Sequence, residues 1–369
     1  MYCKCIRAED FDLNIHDQGT GPTKTKLKSL SQNPLVAETP ESALLYSITP
    51  NPLYFQRNHF PLPSIPNSSL DDWNIVLDGS SDINDQINLK DLKALPKTTL
   101  SVTTECAGNN RLDVSPPVSG NQFESGAVSS AYWTGTPLSA VLTKMNLSSD
   151  VVEILFEGAD DGIPEPGQVK QTYQRSLPLD VAFHPDTILA YEMNGEEIPF
   201  EHGAPVRLIV PGWYGMASVK WITRITALET NFSGYFQTYK YVAKYPDGRS
   251  RFVTKMKLKS MITYPAVGKM VTSESIPLKG FAWSGESRID KVEVSTDSGY
   301  TWKLASLSES NSRYLWSQWH FDWDNPLKGH HTIVCRATDS LGNLQPMQSE
   351  WNEFGYEVNS ANSICIEIV

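Results

Sequence analysis

The sequence predicts an α+β protein: a mixed α/β unit followed by an all-β, immunoglobulin-like sandwich. Up to about Lys255, short strands mixed with short helices and many Pro/Gly connections describe mixed sheets rather than a doubly wound one. From Met261 to the end almost every segment is a short alternating strand, a stretch of about 100 residues, the size of an immunoglobulin-like module. The chain of 369 residues also exceeds the ~250–300 residues at which single cores stop growing, so two domains are expected. The expected boundaries are a polar lead-in over 1–45, the mixed unit over 46–255 and the sandwich over 256–369.

Residues 1–45 are rich in Thr, Lys, Ser and Asn and read as a partly ordered lead-in rather than a core element. Asn51 to Pro66 carries prolines that forbid a helix and hold the chain extended, with Arg57, Asn58 and His59 in the middle of the rigid run. Strands are expected at 72–78 and 98–105, and a short helix at 137–145, opened by a proline at its first turn. Strands return at 151–157 and 206–210. In the second unit, Val292 to Ser295, the turn Asp297-Ser298-Gly299 and Tyr300 to Lys303 give a hairpin signal, and His331 to Thr338 another strand. Trp302 precedes both Cys335 and Cys365, so the Cys…Trp…Cys order of antibody domains is missing.

A net charge of −11 argues against nucleic acid as a partner, because short basic clusters such as Lys255, Lys257 and Lys259 make no concentrated basic surface. It does not exclude anionic substrates, since a few buried arginines decide the potential inside a pocket. Five cysteines, at 3, 5, 106, 335 and 365, form an odd, sparse set with no disulfide framework and no zinc knuckle. The start lacks an apolar export signal, and no window approaches the ~20 apolar residues needed to cross a bilayer. The expectation is a soluble protein of the cytoplasm or another intracellular compartment, the mitochondrion among them, with no membrane partner.

The most informative segment is Ser101 to Arg111, S-V-T-T-E-C-A-G-N-N-R. Leu100, Val102, Thr104 and Cys106 fall in phase on one strand face, so the strand ends by presenting a thiol. Ala107, Gly108 and Asn109 remove bulk and leave amide donors pointing outward. A soft thiolate beside bare donors and a guanidinium suits a metal-bound oxyanion site, although an isolated cysteine is more often a small buried hydrophobe. A second cluster holds the turn Met193-Asn194-Gly195, His202-Gly203, Arg207 and the glycine-flanked loop Pro211 to Trp221. Arg207 sits among alternating Val206, Leu208 and Val210 and needs an anion or solvent, solvent being the usual answer, while for His202 a structural histidine is commoner than a ligand.

Arg57-Asn58-His59, T-E-C-A-G-N-N-R, Gly126-Ala127-Val128 through Trp133-Thr134-Gly135-Thr136-Pro137-Leu138, Y-E-M-N-G, H-G-A-P-V-R and V-K-W stand in this order. Together they resemble the sulfite oxidase family of molybdenum enzymes. The resemblance implies a molybdopterin-binding catalytic domain over 46–255 and a dimerisation domain over 256–369. Cys106 would be the thiolate ligand to molybdenum. Arg57 and Arg111 would hold the substrate as forked oxyanion donors. Asn58, His59, Asp160, His202, Arg207, Ser218 and Lys220 would embrace the molybdopterin and its phosphate. The family's active-site tyrosine is expected at Tyr239, with Tyr241 in reserve.

The activity implied is oxidation of sulfite to sulfate by oxygen-atom transfer from Mo(VI). No haem or flavin module falls within the 369 residues, so electrons are expected to pass to an external acceptor, cytochrome c or oxygen. A two-fold homodimer through the C-terminal sandwich is also implied. Two departures matter. Phe123 stands where vertebrate-type members carry a tryptophan walling the anion pocket, and Phe354 falls where they carry a late arginine after Trp-Asn. They keep open a same-fold oxidoreductase acting on another oxyanion or a sulfoxide, with Arg288 or Arg313 as replacement cations. A third reading is a non-catalytic β-rich binding protein on a retained scaffold.

Overall fold

The computed structural model describes residues 26–64, 70–79, 85–271, 274–308 and 312–369; Cys3 and Cys5 lie outside them. Among the described residues strands predominate, and the α-helices are short: Leu89–Lys93, Leu138–Lys144 and Leu179–Ala182. The second of these matches the expected 137–145 helix, with Pro137 at its N-cap and Leu138, Val141 and Leu142 buried on one face.

Two five-stranded sheets build the first unit. One orders Glu196–Glu197, Ile188–Met193, Val128–Pro137 and Thr98–Glu105, with Arg207–Ile209 joined to Ile188–Met193. The other orders Asp85–Asn88, Asn74–Asp78, Ile222–Leu228, Glu153–Gly162 and Gln171–Pro178. The strand expected at 98–105 is observed at Thr98–Glu105 and pairs along its whole length with Val128–Pro137.

The lead-in differs from expectation. Lys28–Gln32 and Leu35–Glu38 form an antiparallel pair, and the latter pairs with Gln56–Arg57. Val36 and Ala37 are buried. The polar average over 45 residues concealed the apolar triplet Leu35-Val36-Ala37, which gains burial by adding a strand to the extended run that carries Arg57.

The second unit has a four-stranded sheet, Lys259–Tyr264, Ser275–Trp283, Ser317–Asp324 and Ser306–Leu307, and a five-stranded one, Met270–Val271, Asn362–Ile368, Gly329–Asp339, Ile289–Ser295 and Lys303–Leu304. Leu278, Trp319, Val294 and Ile364 bring the two into one core. The expected hairpin forms between Ile289–Ser295 and Lys303–Leu304; at its turn Asp297 accepts from the Thr301 amide at 2.8 Å. Cys106 and Cys335 are free, whereas Cys365 is disulfide-bonded, against the expectation of uncrosslinked thiols. Met261, Phe281, Trp283, Trp316 and Tyr356 join the core of the first unit, so the two units pack as neighbours. No helix among the described residues is long and apolar enough to cross a membrane.

Candidate functional site

Cys106 follows the last residue of its strand and opens a tight turn. Its amide donates to Ala127 at 2.8 Å, and its carbonyl accepts from the Asn109 amide at 2.9 Å. The Asn109 side chain braces the turn on both flanks, accepting from the Ala127 amide at 3.1 Å and donating to Glu105 at 3.0 Å. The thiol lines a cavity together with Arg57, Asp160, Arg207, Lys220 and Tyr241. Burial pushes the thiol's pKa up, opposed by Arg57, the Gly108 amide and Arg111.

The Gln56–Arg57 strand places Arg57 in the cavity wall, where its guanidinium bonds the Asn58 carbonyl and reaches His59 Nδ1 at 3.2 Å. His59 Nε2 lies 2.7 Å from the Tyr241 hydroxyl. Burial, reinforced by Arg57, Lys240, Lys220 and Arg175, holds His59 well below the usual histidine range, so its ring is neutral. Arginine only donates, so Nδ1 is the acceptor and Nε2–H donates to Tyr241 oxygen. The Tyr241 O–H is thereby left to donate into the cavity.

Tyr239 lies within a π-helical turn, Phe236–Lys240, and Tyr241 caps its end. The wide turn leaves Tyr239 44% exposed, against Tyr235 and Phe354, and outside the cavity lining, whereas Tyr241 is 5% exposed and lines it. Of these two, the tyrosine at the cavity is therefore Tyr241 and not Tyr239; the sequence held no sign of the π turn, which shifts side-chain phase. Tyr241 is held between the Tyr356 ring at 5.5 Å and the buried Arg175 guanidinium at 5.6 Å.

Arg111 stands one layer behind the lining, rather than in it. Its guanidinium donates to Phe354 O at 2.9 Å and Asn121 O at 2.7 Å and lies 5.4 Å from the Tyr356 ring centre. A Cβ on Gly108 would fall onto that guanidinium, so any side chain there would have to displace Arg111.

The lining also carries His202, Arg207, Ser218 and Lys220, together with Asn58 and Asp160. Arg207 donates to His202 O at 2.7 Å and Ser218 O at 3.2 Å and lies over Trp133. Lys220 bonds Asn58 Oδ1 and, at 3.0 Å, Glu201 O. Two backbone features aim it. Trp221 is held at φ 51°, a strained left-handed conformation, with its indole donating to Phe200 O at 2.8 Å. Gly203, at φ 109°, lies where a Cβ would stand 2.9 Å from Lys220 Cβ. Burial lowers His202 to about 3 and Arg207 to about 10. It draws Lys220 down, against the pull of Asp160, and lifts Asp160, against Lys220.

The fold thus brings Arg57, Asn58, His59, Cys106, Asp160, His202, Arg207, Ser218 and Lys220 together in one cavity. Phe123 is fully buried in the same hydrophobic cluster as Cys106 without reaching the lining. Phe354 carries Lys240 and Lys244 over its ring, each 5.4 Å from the centre. Arg288 and Arg313 line a separate cavity with Trp283 and Tyr314, so they do not replace the missing guanidinium. Sequence reading overlooked Tyr173, which lines the cavity, and Arg175. Both share the buried face of Gln171–Pro178 with Leu177, and a charged residue on that face was the available signal.

Two family models match the chain: "Oxidoreductase molybdopterin binding domain" over residues 59–236 and "Mo-co oxidoreductase dimerisation domain" over 250–368. The chain is 34% identical to the mitochondrial sulfite oxidase of Macaca fascicularis over 90% of its own length, but spans only 64% of that relative. It is 31% identical to the sulfite oxidase of Arabidopsis thaliana, covering 90% of this chain and 91% of that one. Among solved structures, the sulfane dehydrogenase SoxCD of Paracoccus pantotrophus superposes with a TM-score of 0.80 at 28% identity, over 92% of this chain and 87% of that chain.

The cavity fits the cofactor these matches imply. Arg57, Arg207 and Lys220 face a single carboxylate, Asp160, and so favour an anion. Three buried polar atoms in the lining residues, Asn58 Nδ2, Asp160 Oδ1 and Arg207 Nε, have no protein partner and are left for the polar edge of a bound group. A thiol, a lining rich in cationic side chains and a matching domain architecture converge: the chain belongs to the sulfite oxidase family of molybdopterin-dependent oxidoreductases.

Proposed function

We propose that this protein oxidises sulfite to sulfate at a molybdenum centre ligated by Cys106. The observation that carries this is the Cys106 thiol within a buried, cationic cavity that also holds Arg57 and Tyr241. The bound molybdopterin supplies the two-electron, oxygen-atom-transfer chemistry, while the protein binds, orients and excludes water.

Asn58, Asp160, His202, Arg207, Ser218 and Lys220 hold the pterin and its phosphate, with Arg207 and Lys220 as the charged contacts. Arg57 holds the substrate oxyanion. Arg111 adds positive potential from behind the Cys106 turn and fixes the Phe354 segment. Neutral His59 fixes Tyr241 as a donor, so the phenol can hydrogen-bond a substrate oxygen without importing another charge. Electrons leave for an external acceptor, a cytochrome or oxygen. The units 46–255 and 256–369 serve as catalytic and dimerisation domains, the latter an immunoglobulin-like sandwich in a homodimer; its two sheets around one core and the dimerisation-domain match support this.

A second reading, oxidation of sulfane sulfur, is favoured by the likeness to SoxCD and by Phe354 in place of the late arginine. Sulfite-dependent and persulfide-dependent reduction of ferricyanide by the cofactor-loaded protein separate the two. Cys106→Ser is expected to keep the fold while losing bound molybdenum and turnover; a fully active, metal-retaining variant overturns the assignment.

A further inference from the structure

We infer that Lys259 and Trp283, both outside the molybdopterin-binding segment, are positioning residues for the Cys106 thiolate and act on it through Glu105. The inference rests on Cys106 as the metal ligand. Glu105 is 1% exposed and immediately precedes Cys106. Its carboxylate accepts from Lys259 Nζ at 2.7 Å and Trp283 Nε1 at 2.9 Å, and from Asn109 Nδ2 at 3.0 Å. Two of these donors belong to the four-stranded sheet of the C-terminal unit, and the third belongs to the Cys106 turn itself.

The same unit grips the rest of this strand end. Thr103 N donates to Tyr314 O, Trp316 N donates to Thr103 Oγ1, and Glu357 N donates to Ala107 O, each at 2.8 Å. The residues on both sides of Cys106 are therefore bonded to the C-terminal unit, which makes that unit part of the scaffold that aims the sulfur. A carboxylate so deeply buried is retained only while its donors stay in place, so loss of one donor is transmitted to the adjacent residue.

The test uses the full-length chain without cofactor and follows iodoacetamide alkylation of each cysteine by mass spectrometry. Trp283→Phe removes one donor at nearly constant volume, and Lys259→Met removes the cation. Each is expected to speed alkylation of Cys106 by about fivefold, the factor corresponding to one net hydrogen bond, while the Cys335 rate is unchanged. In Glu105→Gln/Lys259→Met, where a neutral amide no longer requires the ammonium, the Cys106 rate should return to within about twofold of wild type. Molybdenum bound per chain after loading should fall and recover in parallel.

An unchanged Cys106 rate in Trp283→Phe overturns the inference. So does equal acceleration at Cys335, which signals general loosening, or failure of the double variant to restore. A different result sinks the underlying reading: Cys106 alkylated as fast in cofactor-loaded wild type as in the cofactor-free chain.

Discussion

Arg207→Met should leave the cofactor-free protein as stable as wild type, or stabilise it slightly, while sharply weakening cofactor retention. Burial lowers the guanidinium to about 10. At about 1.4 kcal/mol per tenfold change, that depression means the cofactor-free fold disfavours the charge by about 3 kcal/mol. The folded-state value is depressed, so this penalty is complete at every pH below 10 and fades only in strong alkali. Against it stand two hydrogen bonds, to His202 O and Ser218 O, worth about 1 kcal/mol each. The balance is about 1 kcal/mol in favour of the variant, with methionine still covering Trp133. With the anionic group bound the sign reverses, since a lost charge-assisted bond of about 1.5–3 kcal/mol weakens retention roughly 10- to 150-fold. Thermal unfolding of the cofactor-free chain and molybdenum content after dialysis measure the two halves. A variant that melts several degrees lower yet keeps its molybdenum refutes the claim that Arg207 is held charged for the ligand.

His202, lowered to about 3 from an ordinary value near 6.5, should make the cofactor-free protein acid-sensitive. The unfolded chain takes up the proton first, so stability is intact above about pH 6.5 and falls by about 1.4 kcal/mol per pH unit below it. In urea unfolding, His202→Gln should show a shallower loss between pH 6.5 and 4.5 than wild type; parallel curves contradict the assignment. Tyr241→Phe should lower kcat by at least about tenfold through loss of the donor to substrate, whereas Tyr239→Phe should leave kcat unchanged. Steady-state kinetics with the opposite ranking would return the catalytic role to Tyr239.

Local chemistry carried much of this site into the sequence. The strand 98–105 and the small-residue turn after Cys106 followed from alternation and side-chain size alone, whereas Arg207 on an apolar strand pointed to an anion or to solvent, with solvent the commoner answer. Resemblance added Arg57, Asp160 and Lys220, whose neighbourhood around Cys106 depends on long-range packing that no local pattern encodes. Three features stayed hidden for identifiable reasons. The π turn before Tyr241 adds a residue to the helical repeat, so Tyr239 and Tyr241 could not be phased. Arg111 was expected in the pocket, but carbonyls of Asn121 and Phe354, the latter 243 positions away, draw it behind the wall. The Glu105–Lys259 pair joins residues 154 apart, and neither signals the other.

The strand Leu35–Glu38 has a practical consequence. It is fastened to the Arg57 strand, and Thr39 continues it with an amide that donates to Gly126 O at 2.9 Å, next to the residue whose carbonyl accepts from the Cys106 amide. The molybdopterin-domain match begins only at residue 59. Trimming the polypeptide to that limit would delete Arg57 outright and unlace the seam beneath Cys106, so a minimal recombinant version of this protein has to begin upstream of residue 28.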